Sequence, residues 1–173
     1  MKRFVLILST LLLIGFMAGC GGGTKRVALP AGASSDIAVL SLGADTTGLS
    51  DDQVDLLQRN LDWMDRNLVQ TLNKKGFNSA QIQDEKAFTG AGNSLLLKIS
   101  ITKHKMIPKG ARMLGGMMAG ADILSVHYDL VDSNGKIVLA WDDSQGSTKG
   151  GTYCAQALNR NAADKIAAYV VRK

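Results

Sequence analysis

Residues 95–101 read Leu-Leu-Leu-Lys-Ile-Ser-Ile and residues 124–130 read Leu-Ser-Val-His-Tyr-Asp-Leu, with a glycine-spaced apolar connection between them and Asn134-Gly135 soon after. In the first stretch Leu95, Leu97, Ile99 and Ile101 share one face, and Lys98, Ser100 and Thr102 the other, the period of a strand with one buried side. In the second, Leu124, Val126, Tyr128 and Leu130 oppose Ser125, His127 and Asp129. Asn134-Gly135 tolerates the positive φ of a tight hairpin turn, so a third strand returns toward Ser147 with Ile137, Leu139 and Trp141 continuing the buried face. A slip of one residue would turn the whole apolar set to water, so the pattern itself specifies the register.

The flanking sequence supplies a layer to cover this sheet. Asp36 to Leu42 is a short apolar run consistent with an inner strand. Ser50 with Gln53 makes a capping box, and Asp51 and Asp52 lie where the helix dipole favours negative charge. From there Val54, Leu57, Leu61, Met64, Leu68 and Leu72 recur at spacings of three and four, an amphipathic helix that ends at Gly76. Asp55 with Arg59 and Asp62 with Arg66 are spaced as ion pairs on its outer side, and Trp63 falls at the edge of the stripe. A short strand is expected over 77–82 and a loop over 83–93. After Gly150 and Gly151 a last helix places Ala155, Leu158, Ala162, Ile166, Tyr169 and Val170 on one face. The expected architecture is a two-layer α+β sandwich, a mixed or antiparallel sheet of four or five strands with both helices on one face.

The chain opens differently. Lys2 and Arg3 precede an apolar run from Phe4 to Phe16, the order of an export signal. The Met17-Ala18-Gly19-Cys20 that follows resembles the lipobox of bacterial lipoproteins, which implies cleavage before Cys20 and acylation of its sulfur. Three acyl chains make a stable anchor, since each buried methylene contributes about 0.8 kcal/mol. Gly21 in place of aspartate implies, by the same resemblance and for a host with two membranes, sorting to the outer membrane. Residues 20–35 are Gly-rich and read as a tether with an r.m.s. span of roughly 20 Å, in which Lys25 and Arg26 are solvated cations near the headgroups. The expected division is thus signal peptide 1–19, lipidated tether 20–35 and a single domain 36–173. Loss of Lys2 and Arg3 lowers the formal net charge from +5 to +3, and no basic block points to nucleic acid. Cys154 would be the one remaining thiol, packed as a small apolar residue of the last helix.

Candidate chemistry is sparse. The connection from Lys109 to Ala121 has glycines but lacks the Gly-Lys-Ser/Thr ending of a phosphate loop. Its Arg112, Met113, Leu114, Met117 and Met118 either fold over the sheet edge or form an exposed, adaptable surface for a partner. His104 and His127 read as surface residues with no metal-ligand spacing around them. Asp142 with Asp143, and Asp129 with Asp132, read as turn and edge residues, with an acid/base pair as the other possibility. No catalytic residue, metal or cofactor is expected.

Leu95 to Ile101, Gly110-Ala111-Arg112, Gly115, Gly120, Asp132, Gly135-Lys136 and Asp142-Asp143-Ser144 together resemble the bacterial lipoproteins and periplasmic proteins that carry domain of unknown function 4410. That resemblance carries no activity. At the level of fold alone it is similar to the small α/β domains of envelope assembly lipoproteins. The expected function is a membrane-anchored, noncatalytic interaction or assembly module at the cell envelope, with Arg112, Met113, Met117 and Met118 as contact surface and an envelope protein or further copies of itself as partner. The alternative is a periplasmic binding module for lipid or another apolar ligand held between sheet and helices.

Overall fold

The structure is a computed structural model that describes residue 29 and residues 35–108, 110, 113, 114 and 120–172. Among the described residues its elements are β1 (Asp36–Ala44), α1 (Asp51–Asn73), β2 (Asn78–Ile82), β3 (Leu95–Lys105), β4 (Asp122–Val131), β5 (Ile137–Ser147) and α2 (Gly151–Arg172), with a 3-10 turn over Glu85–Ala87. The five strands form one sheet in the order β2-β1-β3-β4-β5. β1 runs parallel to both β2 and β3, while β3, β4 and β5 form an antiparallel meander.

The register of the meander follows its pattern, except that Ile137, expected on the buried face, is 54 % exposed, because it opens the edge strand beside the turn where the register shifts. Leu97 stands opposite Leu130, Ile99 opposite Tyr128, and Tyr128 opposite Trp141. The last two rings stack with centroids 4.7 Å apart. At the turn, Gly135 takes φ 78° and Asp132 accepts from the backbone N–H groups of Asn134 and Lys136 at 2.9 and 3.0 Å, which is the turn role expected of it.

α1 begins as its sequence dictates, the Ser50 backbone N–H donating to Gln53 Oε1 at 3.0 Å. It ends with Gly76 at φ 98°, where the Phe77 N–H reaches back to the Leu72 carbonyl at 3.3 Å. Asp55 pairs with Arg59 at 3.6 Å on the exposed side. The matching Asp62–Arg66 pair does not form; Asp62 instead accepts from the Gln58 amide at 3.1 Å, a neighbour on the same strip of helix.

Both helices lie on one face of the sheet. Leu57, Leu61, Met64, Leu68 and Leu72 from α1 and Cys154, Leu158, Ala162 and Ile166 from α2 share one core with Val39, Leu97, Ile99, Val126 and Tyr128. The helices point the same way: Asn60 lies against Gly151, Asn159 donates to the Met64 carbonyl at 2.8 Å, and Lys75 pairs with Asp164. Cys154 is buried, as expected, and its thiol faces the Asp122 carbonyl at 3.6 Å. The opposite face of the sheet is mostly wet. One corner of it, Leu40, Leu96 and Val131, is covered by Phe88 from the 83–93 segment.

Candidate functional site

Of the residues expected to form a contact surface, Met113 alone lies among those described; Arg112, Met117, Met118 and Cys20 lie outside them. Met113 is helical and 87 % exposed, and Leu114 beside it is 94 % exposed. Neither folds back onto the sheet. The base of this connection is closed from both sides, Met106 and Ile107 being buried and the Ile107 N–H donating to the buried Asp122 carboxylate at 2.8 Å.

Asp142 and Asp143 do not make an acid/base pair, because consecutive strand residues point to opposite faces. Asp143 turns to the helix side, where Asn161 donates to it at 2.9 Å. Asp142 turns to the wet face and meets His127, 2.8 Å from its Nδ1, while Asp129 Oδ1 lies 3.2 Å from Nε2. Two carboxylates can only accept, so a histidine engaging both carries a proton on each nitrogen. The hydrogen bond to Asp142 is the main cause that holds the His127 pKa above its ordinary 6.5. Sequence reasoning missed this cluster, although the signal was present: Asp129 is two residues from His127 on one strand face, and the Asn134-Gly135 turn brings Asp142 opposite. His104 is a surface residue as expected, its Nε2 2.9 Å from the Asp45 carbonyl oxygen. Among the described residues no group of three or more His, Cys, Asp or Glu side chains is placed to hold a metal.

A second polar feature has no counterpart in the sequence reading. Beside α1, at the C-terminal ends of the parallel strands β1 and β2, is a crevice of about 270 Å³ lined by Ser41, Gln58, Asp62, Asp65, Arg66 and Gln81. This is the end of parallel strands where open α/β sheets place their ligand crevices. Asp65 is 6 % exposed and accepts from the Gln81 amide at 3.1 Å. Burial pushes its carboxyl up from 3.8 to about 6, against the opposing hydrogen bond of Ser41. The detectable signal was that Asp65, four residues after Leu61 and three before Leu68, falls on the apolar stripe of α1.

A third feature is basic. Asn67, Thr71, Lys74 and Lys75 of the α1 side and Gln156, Arg160 and Asp164 of α2 line a cleft of about 300 Å³ between the helices. Further along α2 a recess of about 510 Å³ is bounded by Leu139, Lys165, Ala168, Tyr169 and Arg172. The space between sheet and helices, expected under the alternative reading to hold an apolar ligand, is occupied by fully buried side chains such as Tyr128, Leu97, Leu124 and Leu158. The clefts described above lie at its rim.

These features sit on a fold that is shared. A PelC dodecamer from Paraburkholderia phytofirmans carrying a leucine-to-methionine substitution matches at a TM-score of 0.54 and 16 % identity, over 82 % of this chain and 93 % of that one. A second PelC dodecamer from the same organism matches at 0.53 and 17 % over the same shares. At these identities the likeness is one of fold. No curated protein matches the chain. The family described as "Domain of unknown function (DUF4410)" matches residues 37–151.

Proposed function

Because this chain belongs to the DUF4410 family, we propose that it is a bacterial lipoprotein that works without catalysis, as an assembly module built from copies of itself at the cell envelope. The observation that carries this reading is the fold shared with PelC, whose structures are dodecamers. It is supported by β5, an 11-residue strand at the edge of the sheet whose outer backbone groups have no further strand beside them among the described residues. A ring needs two different surfaces per subunit, since a head-to-tail contact closes only by rotation. The β5 edge offers one, and the exposed Met113, taken together in this proposal with Arg112, Met117 and Met118 nearby in the sequence, offers another.

The anchor in this proposal is Cys20, acylated after removal of residues 1–19, with the outer membrane as destination; of the expected tether 20–35, Leu29 is already held on the domain, which leaves residues 20–28 as the free link. Native mass spectrometry of the mature protein released in mild detergent tests the assembly: several copies per particle are expected, with alanine at Met113, Met117 and Met118 reducing the copy number. A monomer throughout the micromolar range would overturn it. The alternative, a periplasmic binding module for lipid or another apolar ligand, draws on the recess beside Leu139, Ala168 and Tyr169. Solvent extraction of the purified native protein followed by mass spectrometry decides for or against it.

A further inference from the structure

The chain joins the folded domain at the C-terminal end of α1. There the Leu29 backbone N–H donates to the Lys75 carbonyl at 3.1 Å, and the Leu29 side chain packs on the core. Only residues 21–28 separate Leu29 from Cys20, and at about 3.5 Å per residue they reach no further than roughly 30 Å. An acyl anchor on Cys20 therefore holds this end of the domain close to the bilayer.

Around the same point lies the cleft between the helices, where Lys74, Lys75 and Arg160 face a single carboxylate, Asp164. Lys75 is paired with Asp164. Lys74 and Arg160 are exposed and form no ion pair among the described residues. Lysines at a helix C-terminus offset its partial negative charge, which accounts for Lys74 and Lys75. It does not account for Arg160, which stands in the middle of α2 and leaves the carboxylate four residues on to Lys75. Toward the same end, Lys165 and Arg172 flank Tyr169, Leu139 and Ala168, the mixture of cations, tyrosine and aliphatic groups that suits a membrane interface.

We propose, resting on the membrane-anchored reading above, that this end of the domain lies on the bilayer and that the cleft between Lys74 and Arg160 holds the phosphate of an anionic phospholipid headgroup. The anchor supplies proximity, so a weak individual affinity suffices. What the cleft adds is orientation. Met106 packs on Gly151 at the N-terminal end of α2, so the connection that carries Met113 is turned away from the bilayer, toward partners.

The test uses the mature chain with Cys20→Ser, which has no acyl chains, titrated with phosphatidylcholine vesicles, with vesicles containing phosphatidylglycerol, and with inorganic phosphate. Binding to the phosphatidylglycerol vesicles is expected, lost at high salt and weakened by about tenfold or more in Lys74→Glu with Arg160→Glu. Lys103→Glu with Lys149→Glu makes the same charge change at the opposite end and leaves binding unchanged. Circular dichroism confirms that both double variants fold. Equal loss in the two double variants, equal binding to phosphatidylcholine, or no vesicle binding at all overturns the proposal. Binding of inorganic phosphate without vesicle binding makes this a free-phosphate site and also overturns it. Acylation of Cys20 is read separately, from the mass of the amino-terminal peptide, so either reading can fail alone.

Discussion

Asp65→Asn is expected to stabilise the domain near neutral pH and to flatten its dependence on acid. The carboxyl is 6 % exposed, and burial raises its pKa from 3.8 to about 6. Between those values the folded state holds a proton that the unfolded state has released, so stability falls as pH rises through the window and the full cost stands above it. The gap corresponds to about 3 kcal/mol. Solvent reaching the crevice and the loss of the Ser41 hydrogen bond's preference for the anion reduce the gain on substitution to about 1–2 kcal/mol. Asparagine keeps an oxygen for the Gln81 amide and carries no charge to bury. For a domain of this size the gain is a rise in Tm of roughly 3–8 °C. Thermal unfolding of both proteins between pH 4 and pH 8 is the assay, and the difference is expected to shrink steadily below pH 6. A variant that melts at or below the native protein at pH 7.5, or a difference that does not change with pH, would refute the reasoning.

His127 titrates in the same direction, so its part must be separated from that of Asp65. Its pKa is raised chiefly by Asp142, and the stability it contributes is fully present below 6.5 and lost as pH rises through the folded value. Proton NMR of the ring is expected to titrate above 6.5 in the native protein and lower in Asp142→Asn; an inflection at or below 6.5 in the native protein would show that the two carboxylates do not hold the imidazolium. Tyr128→Phe tests the core. The Tyr128 hydroxyl is buried with no hydrogen-bond partner among the described residues, so removing it is expected to leave stability within about 0.5 kcal/mol of the native protein or to raise it. A loss of more than about 1 kcal/mol in denaturant unfolding would mean that the hydroxyl is satisfied.

Much of this molecule follows from local periodicity. A period of two from Leu95 to Ile101 and from Leu124 to Leu130, joined to an Asn-Gly turn, leaves one pairing in which the alternating apolar residues of both strands are buried, and the observed Tyr128–Trp141 pair follows from it. The stripe from Val54 to Leu72 and the cap at Ser50 define α1 in the same way, and small residues at helical spacing define α2. The order Lys2-Arg3, apolar run, Cys20 carries the anchor proposal without help from the fold.

Tertiary structure decided what periodicity does not encode. No spacing in the chain says that β1 lies between β2 and β3 and parallel to both, because a crossover helix leaves open which neighbour a strand takes. The Asp65 crevice needs Gln81 from β2 and Ser41 from β1 brought against α1, and the pKa of a carboxyl depends on that burial rather than on its neighbours in sequence. Lys74 and Arg160 converge only because two helices pack side by side and point the same way. Sequence alone thus determined the elements and their buried faces, since these depend on residues a few positions apart; the charged clefts arise between distant elements, and only packing sets the distances on which electrostatics depends.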